Sequence, residues 1–276
     1  MIKYIFKNSV RAIAFLNLLI VLFLFSSCEK VIDIDLNAKA PQVVIEGNIT
    51  DQPGPYTVKS TQTVNYDEAN IFPTISGATV TISDNVGNSE ILTETSLGIY
   101  TTSTLQGVAG RIYKLKVIAN GKEYDATSTI NPPVNIDTLK VIKQNLPKGN
   151  KKIIYVEFTD IPGIANYYRF IKIINGKVQP AIYVEDDLTQ DGKVLSIGLI
   201  EKEKYDEDIK SGDTVTIILQ SLDESTYNYF KTLLQLNGGG LMNQSSSPAN
   251  PLSNISNDAL GYFNACSITS KTIILP

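Results

Sequence analysis

The feature that most constrains the fold is a series of short β-branched runs between Gln42 and Ile130, each separated from the next by a turn signal. The runs occupy residues 43–49, 56–60, 78–83, 89–94, 98–101, 111–118 and 123–130. Apolar and polar residues alternate within several of them, as in strands with one buried face. About seven strands at roughly ten-residue spacing predict an antiparallel β-sandwich of immunoglobulin-like type over residues 41–131.

A second domain is predicted after Asn131-Pro132-Pro133, because proline cannot continue a central strand. Strand character returns at residues 137–144, 152–160, 167–175, 193–201, 213–221, 260–263 and 265–275. Residues 221–224 have the spacing of a capping box, which predicts one helix near residues 223–236. Residues 238–258 are predicted to form a long exposed loop. We therefore predict a mainly β protein whose second domain, residues 132–276, is β-rich with one α-helix.

The N-terminus has the order of an export signal. Three basic residues precede an almost wholly apolar stretch at residues 12–25, which is too short to span a bilayer. Two serines then precede Cys28, and this pattern resembles the lipobox of bacterial lipoproteins. We predict a signal peptide at residues 1–27, a lipid on Cys28 that anchors the protein to a membrane, and a spacer over residues 28–40.

Composition excludes several function classes. The chain has no histidine, which excludes Ser-His-Asp and Cys-His hydrolysis and His-ligated zinc. It has 24 Lys and Arg against 28 Asp and Glu, and three of the basic residues lie in the signal peptide, so the mature chain has a formal charge of −7. That charge disfavours nucleic acid as a partner. Once Cys28 is lipidated, Cys266 is the one remaining thiol, and its apolar surroundings predict a small buried side chain.

An acidic run suggests a metal site. Asp187, Thr189, Asp191 and Gly192 occupy the first, third, fifth and sixth positions of a calcium-loop pattern, which directs oxygens at one hard cation. The twelfth position is Gly198, where the pattern requires a bidentate glutamate. A solvated acidic hairpin is the alternative. Apart from the lipid and this calcium ion, we predict no cofactor.

Tyr66 and Phe72 lie in a polar stretch between two strand runs, where exposed aromatic side chains would be unusual. We predict that this loop is a recognition tip for a partner, a peptide or a glycan. Packing within their own domain is the alternative. The acidic clusters and tyrosines also leave open a carboxylate-dependent glycan-active enzyme or a glycan-binding module.

An ordered series of short sequence pieces carries a further signal: residues 28–30 with 32–33, then 44–51, 76–80, 166–170, 186–187 with 191–192, 212–215, 227–229 and 259–263. This series resembles the lipoproteins of the domain-of-unknown-function family 4249 (DUF4249) of Bacteroidota. The resemblance implies an outer-membrane lipoprotein, often encoded near TonB-dependent receptors. It supplies no catalytic residues.

These observations together predict a non-enzymatic lipoprotein of the outer membrane that binds a TonB-dependent transporter or another β-barrel protein. Acidic residues near Cys28 are typical of surface-export signals in this phylum, whereas Lys30 and the neighbouring apolar residues dilute them. Both the cell surface and the periplasmic face therefore stay open.

Overall fold

The strands and the helix occupy most of the described residues. The computed structural model describes residues 40–65, 68–146, 149–200, 209–236 and 250–275. Its strands are β1 (Val43–Thr50), β2 (Thr57–Gln62), β3 (Thr79–Asp84), β4 (Ser89–Ile91), β5 (Thr93–Ser96), β6 (Ile99–Thr101), β7 (Ile112–Ala119), β8 (Lys122–Thr129), β9 (Ile136–Leu146), β10 (Gly149–Thr159), β11 (Tyr167–Ile174), β12 (Lys177–Val178), β13 (Tyr183–Asp186), β14 (Val194–Gly198), β15 (Thr214–Leu222) and β16 (Leu260–Ile274). The helix α1 is Glu224–Leu236. The predicted signal peptide and Cys28, with the spacer up to residue 39, lie outside the described residues, as does Tyr66.

One long sheet connects the two halves of the chain. Its strand order is β12-β11-β15-β16-β1-β2-β6-β5, and β13 also pairs with β11. Two smaller sheets, with orders β4-β3-β7-β8 and β14-β10-β9, complete the described β-structure. Within the described residues, the prediction of a mainly β fold with antiparallel sandwich layers and one helix is confirmed. One strand pair is not antiparallel as predicted, because β1 and β16 run parallel.

The first core lies between the four-stranded sheet and the β16-β1-β2-β6 part of the long sheet. Ile45 from β1 and Phe263 from β16 meet Val80 and Leu115 from the smaller sheet, and all four side chains are essentially buried. A strand from the far end of the sequence therefore completes the N-terminal sandwich. Such a non-local contact gives no local signal in the sequence.

The second core lies between the three-stranded sheet and the β11-β15 part of the long sheet. Phe158 from β10 packs edge to face on Tyr168 from β11, with ring centroids 4.8 Å apart. β16 takes part in both cores, because Phe263 lies in the first and Ile273, on the same side of the strand, packs against the second. The domain boundary after residue 131 stays a prediction.

The helix α1 covers the β11-β16 part of the long sheet. Asp223 is its N-cap, since its Oδ1 accepts the amide of Thr226 at 2.8 Å. The capping box predicted at residues 221–224 is wrong, because Ser221 still belongs to β15. Tyr227 and Phe230 then pack with Cys266 in a third, smaller cluster.

The segment before β16, which the sequence predicts to be an exposed loop, is partly packed against the first core. Within its described part, residues 250–258, Ile255 is buried in the first core. The amide of Ser256 donates to the carbonyl of Asp125 at 2.8 Å, and the amide of Asp125 donates to Ser256 Oγ at 2.8 Å. The segment therefore protects the edge of β8.

The parallel pairing of β1 with β16 depends on a glycine. Gly261 has a φ of +96°, and a Cβ atom there would lie 2.0 Å from the carbonyl oxygen of Ile45, its partner in β1. No side chain fits unless β1 moves. Gly87, in the β3–β4 turn, has nearly the same φ of +97° but has nothing within 4 Å of such an atom.

The substitutions Gly87→Ala and Gly261→Ala therefore separate backbone strain from steric exclusion. We expect Gly87→Ala to lower the free energy of unfolding by about 1–2 kcal/mol, the usual cost of a left-handed non-glycine residue. Gly261→Ala should lower it by at least about twice that, because displacement of β1 is added to the strain. Urea unfolding of the full chain measures both, and equal losses would contradict the role assigned to Gly261.

Candidate functional site

Two places in the fold carry features that packing alone does not explain. The first is the loop that holds Phe72. Its C-terminal part is fixed to β2 by two hydrogen bonds. The amide of Gln62 donates to the carbonyl of Pro73 at 2.8 Å, and the amide of Ile75 donates to the carbonyl of Ser60 at 2.9 Å. Ile75 is buried, whereas Ile71 and Phe72 are 78% and 51% exposed. The predicted aromatic therefore lies at the surface on an anchored loop.

A second turn lies beside this loop and adds another apolar side chain. Leu97, between β5 and β6, is 70% exposed. The next residue, Gly98, accepts the amide of Ser60 at 2.8 Å through its carbonyl, so both loops are fixed to Ser60. We call Ile71, Phe72 and Leu97 the apolar tip.

One carboxylate also joins the two loops of the apolar tip. Glu94 accepts the amide of Gly77 at 2.9 Å and that of Gly98 at 2.8 Å. These two hydrogen bonds lower the pKa of Glu94, so it is ionised at neutral pH and keeps both loops in place.

The second place is an acidic cluster formed by Asp160, Asp187 and Asp191. Asp160 follows β10, and Asp187 and Asp191 belong to the connection between β13 and β14. One carboxylate oxygen from each lies within 4.8 Å of the other two. Asp160 and Asp187 are 2% and 4% exposed, whereas Asp191 is open to solvent. The structure thus brings together two of the three predicted ligands, Asp187 and Asp191. It adds Asp160, which the sequence did not indicate.

The third predicted ligand, Thr189, is exposed, and its backbone carbonyl accepts Lys193 Nζ at 3.3 Å. Its role in metal binding stays a prediction. Gly198, at the twelfth position of the sequence pattern, lies in β14 opposite Tyr155. The acidic cluster therefore differs from a continuous calcium loop, because Asp160 comes from a separate segment after β10.

Hydrogen bonds fix two of the three carboxylates from outside the cluster. Asp160 accepts the hydroxyl of Tyr168 and, at 2.8 Å, the amide of Gly192. Asp191 accepts the amide of Gly163 at 2.8 Å. Burial, followed by the hydrogen bond to Asp160, raises the pKa of Tyr168, so the tyrosine remains a donor at neutral pH.

The aromatic residues near α1 form a packed layer. Arg169 on β11 lies 3.9 Å from the centroid of the Phe230 ring, and it donates from a terminal guanidinium nitrogen to Gln220 Oε1 at 3.2 Å. The rings of Tyr229 and Tyr262 are 4.8 Å apart. Since these rings pack on one another, the layer is not shaped like the open aromatic platform that binds a sugar face.

Cys266 lies in the same layer and is fully buried. Burial raises the pKa of its thiol to about 12, so the sulfur stays protonated at neutral pH. The prediction of a small buried side chain at this position is confirmed.

Comparison with known proteins gives the family. The model of a domain of unknown function, DUF4249, matches residues 29–272. The chain belongs to the DUF4249 family. No curated protein matches this DUF4249 member. One chain of a solved cytokine receptor complex is 9% identical to it, with coverage of 84% of this chain and 95% of the other, at a TM-score of 0.25. That likeness is too weak to carry an argument.

No helix in the described part of this DUF4249 chain combines the length and apolar character that a membrane span requires.

The hydrogen bond from Tyr168 to Asp160 predicts a measurable loss of stability. In Tyr168→Phe the buried carboxylate of Asp160 loses a donor, and we expect the free energy of unfolding to fall by about 1–3 kcal/mol. Tyr124→Phe, at a buried tyrosine of the first core, is the matched control and should cost less. Urea unfolding of the full chain in EDTA measures both. A loss in Tyr168→Phe no larger than the control's would show that the hydrogen bond contributes nothing.

Proposed function

We propose that this protein is an outer-membrane lipoprotein that is anchored through lipid on Cys28 and acts without catalysis by binding a membrane partner. The partner is a β-barrel protein, for example a TonB-dependent transporter. The observation that carries the proposal is the apolar tip, in which Ile71 and Leu97 are at least 70% exposed and Phe72 is about half exposed.

The apolar tip has the properties of a protein-binding surface. Contiguous exposed apolar patches mark interaction sites, and the two loops that carry these three side chains are joined to each other through Ser60 and Glu94. The C-terminal part of the loop is already fixed by its hydrogen bonds to β2, so binding there costs little additional conformational entropy. An aromatic anchor with aliphatic neighbours is the composition expected at the centre of an interface.

The predicted anchor supports the same function. Several acyl chains on Cys28 would hold the protein at the membrane, and the predicted spacer of residues 28–40 is short. A short tether raises the effective concentration of the folded part near a partner in the same membrane. A modest apolar contact is then sufficient for a lasting complex.

The alternative, a glycan-active enzyme or glycan-binding module, receives less support from the geometry. In the acidic cluster the carboxylate oxygens lie within 4.8 Å of one another. The paired carboxylates of glycosidases are about 5–10 Å apart and flank an open cleft. Two of the three carboxylates here are buried, which leaves no room for a sugar ring between them.

The apolar tip predicts the position of crosslinks in living cells. A photo-activated aromatic amino acid at Phe72 should crosslink to a β-barrel protein that is identified by mass spectrometry after solubilisation in mild detergent. The double substitution Ile71→Ser with Phe72→Ser should reduce recovery of that partner at least about tenfold, as expected for the loss of interface anchors. Val86, 60% exposed in the β3–β4 turn, gives the control substitution Val86→Ser. Recovery of the protein without a partner, or equal loss in the control, would overturn the proposal.

The anchor is tested through the two cysteines of the chain. Cys28→Ala should abolish incorporation of labelled palmitate and shift the protein from the membrane fraction to the supernatant, because the thioether cannot form. Cys266→Ala removes the buried thiol and should leave labelling and membrane association unchanged. Labelling of the Cys28→Ala variant would contradict the assignment of the lipid to this residue.

A further inference from the structure

We propose that the apolar tip contacts its β-barrel partner at the membrane boundary, on the rim where the apolar outer band of the barrel emerges from the lipid. The proposal rests on the function proposed above and adds to it the surface of the partner that is recognised. The observation that carries it is the place where the predicted spacer joins the fold, which lies beside the apolar tip.

The chain enters the described fold next to the loop that holds Phe72. The amide of Gln42 donates to Thr63 Oγ1 at 3.0 Å, and the carbonyl of Gln42 accepts the amide of Thr63 at 2.9 Å. On the other edge of β2, the amide of Gln62 donates to the carbonyl of Pro73 at 2.8 Å. Two strand spacings, about 10 Å, therefore separate Gln42 from Pro73, the residue after Phe72.

The opposite end of the N-terminal sandwich carries a comparable exposed side chain that is remote from this entry point. Glu94 accepts the amides of Gly77 and Gly98, so β3 begins at the end that holds the apolar tip. β3 then runs through six residues, about 20 Å, to the turn of Val86. Val86 and Leu97 are 60% and 70% exposed. The two side chains therefore differ mainly in their place along the sandwich.

The length of the predicted spacer favours contact at the membrane boundary. Ala40 is the twelfth residue after Cys28, and a chain of that length spans at most about 43 Å in any conformation. A lipid on Cys28 therefore limits how far the entry point, and the apolar tip beside it, can lie from the bilayer. For Val86 to face the bilayer instead, the spacer would have to run back along the whole sandwich.

The composition of the apolar tip suits the apolar band of a barrel better than its polar loops. Residues 69–75 and 95–99 contain no charged side chain. The two flanking carboxylates are already engaged, Glu68 by Asn65 and Glu94 by two loop amides. Such a surface can approach lipid-facing side chains without removing water from a charge. Outer-membrane barrels present an apolar band between aromatic girdles, so Ile, Leu and Phe side chains match that boundary.

Photo-crosslinking in living cells tests which part of the partner is contacted. A photo-activated aromatic amino acid at Leu97 should crosslink to the strand ends of a β-barrel protein at the membrane boundary, as mapped by mass spectrometry of the crosslinked peptides. The same amino acid at Val86 should not give these crosslinks. Crosslinks from Leu97 only to soluble loops or domains of the barrel protein would overturn this inference and leave the proposed function standing. Crosslinks to lipid without a β-barrel protein would overturn both.

Lipid quenching tests the position of the apolar tip without knowledge of the partner. In the mature lipidated chain the one remaining native thiol, Cys266, is fully buried and its pKa is raised to about 12, so a thiol introduced by Leu97→Cys or Val86→Cys takes a fluorescent label. In outer-membrane vesicles that contain phospholipid with a headgroup spin label, the label at Leu97 should be quenched. The label at Val86, at the other end of the sandwich, should not. Equal quenching at the two positions would overturn the inference, and unchanged melting temperatures would show that both variants fold.

Discussion

The structure depends on the parallel pairing of β16 with β1. This contact joins the last of the described strands to the first, completes the first core with Phe263 and extends the long sheet to β15 and β11. Without it, β1 would be an edge strand, and the backbone donors and acceptors that face β16 would be unpaired. The pairing is possible because Gly261 lies against the carbonyl of Ile45 with no side chain. The positions of the helix and of the three-stranded sheet follow from this shared strand.

Local patterns in the sequence were sufficient for most individual strands, and for a physical reason. A strand with one buried face alternates in polarity, so Val80 and Ile82 or Tyr168 and Phe170 reveal which face is buried without any tertiary information. The helix was also found, although its cap is Asp223 and not Ser221. Pairing between distant strands leaves no such pattern. For that reason the sequence indicated two closing strands near the C-terminus but not the single strand β16 or its parallel partner.

The candidate sites show the same difference between local features, which the sequence reveals, and non-local contacts, which it does not. Asp187 and Asp191 were found because they share one short segment with regular spacing, whereas Asp160 becomes their neighbour only through the antiparallel pairing of β10 with β14. Its one local signal was its place at the end of a predicted strand. At the apolar tip, Phe72 was found as an aromatic in a polar stretch. The exposure of Ile71 and Leu97 was identified only from the structure, because exposure of an aliphatic side chain in a turn depends on what packs over it.

Two groups of buried charge in this fold are stabilised in different ways. Arg169 has no acidic partner among the described residues, but its guanidinium is planar and weakly hydrated and lies on the face of Phe230. Such a cation tolerates an aromatic layer. The carboxylates of Asp160 and Asp187 are strongly hydrated anions of the same sign and have no equivalent aromatic contact. Hydrogen bonds from Tyr168 and Gly192 stabilise Asp160, and Asp187 Oδ2 accepts the side-chain amide of Asn166 at 3.4 Å.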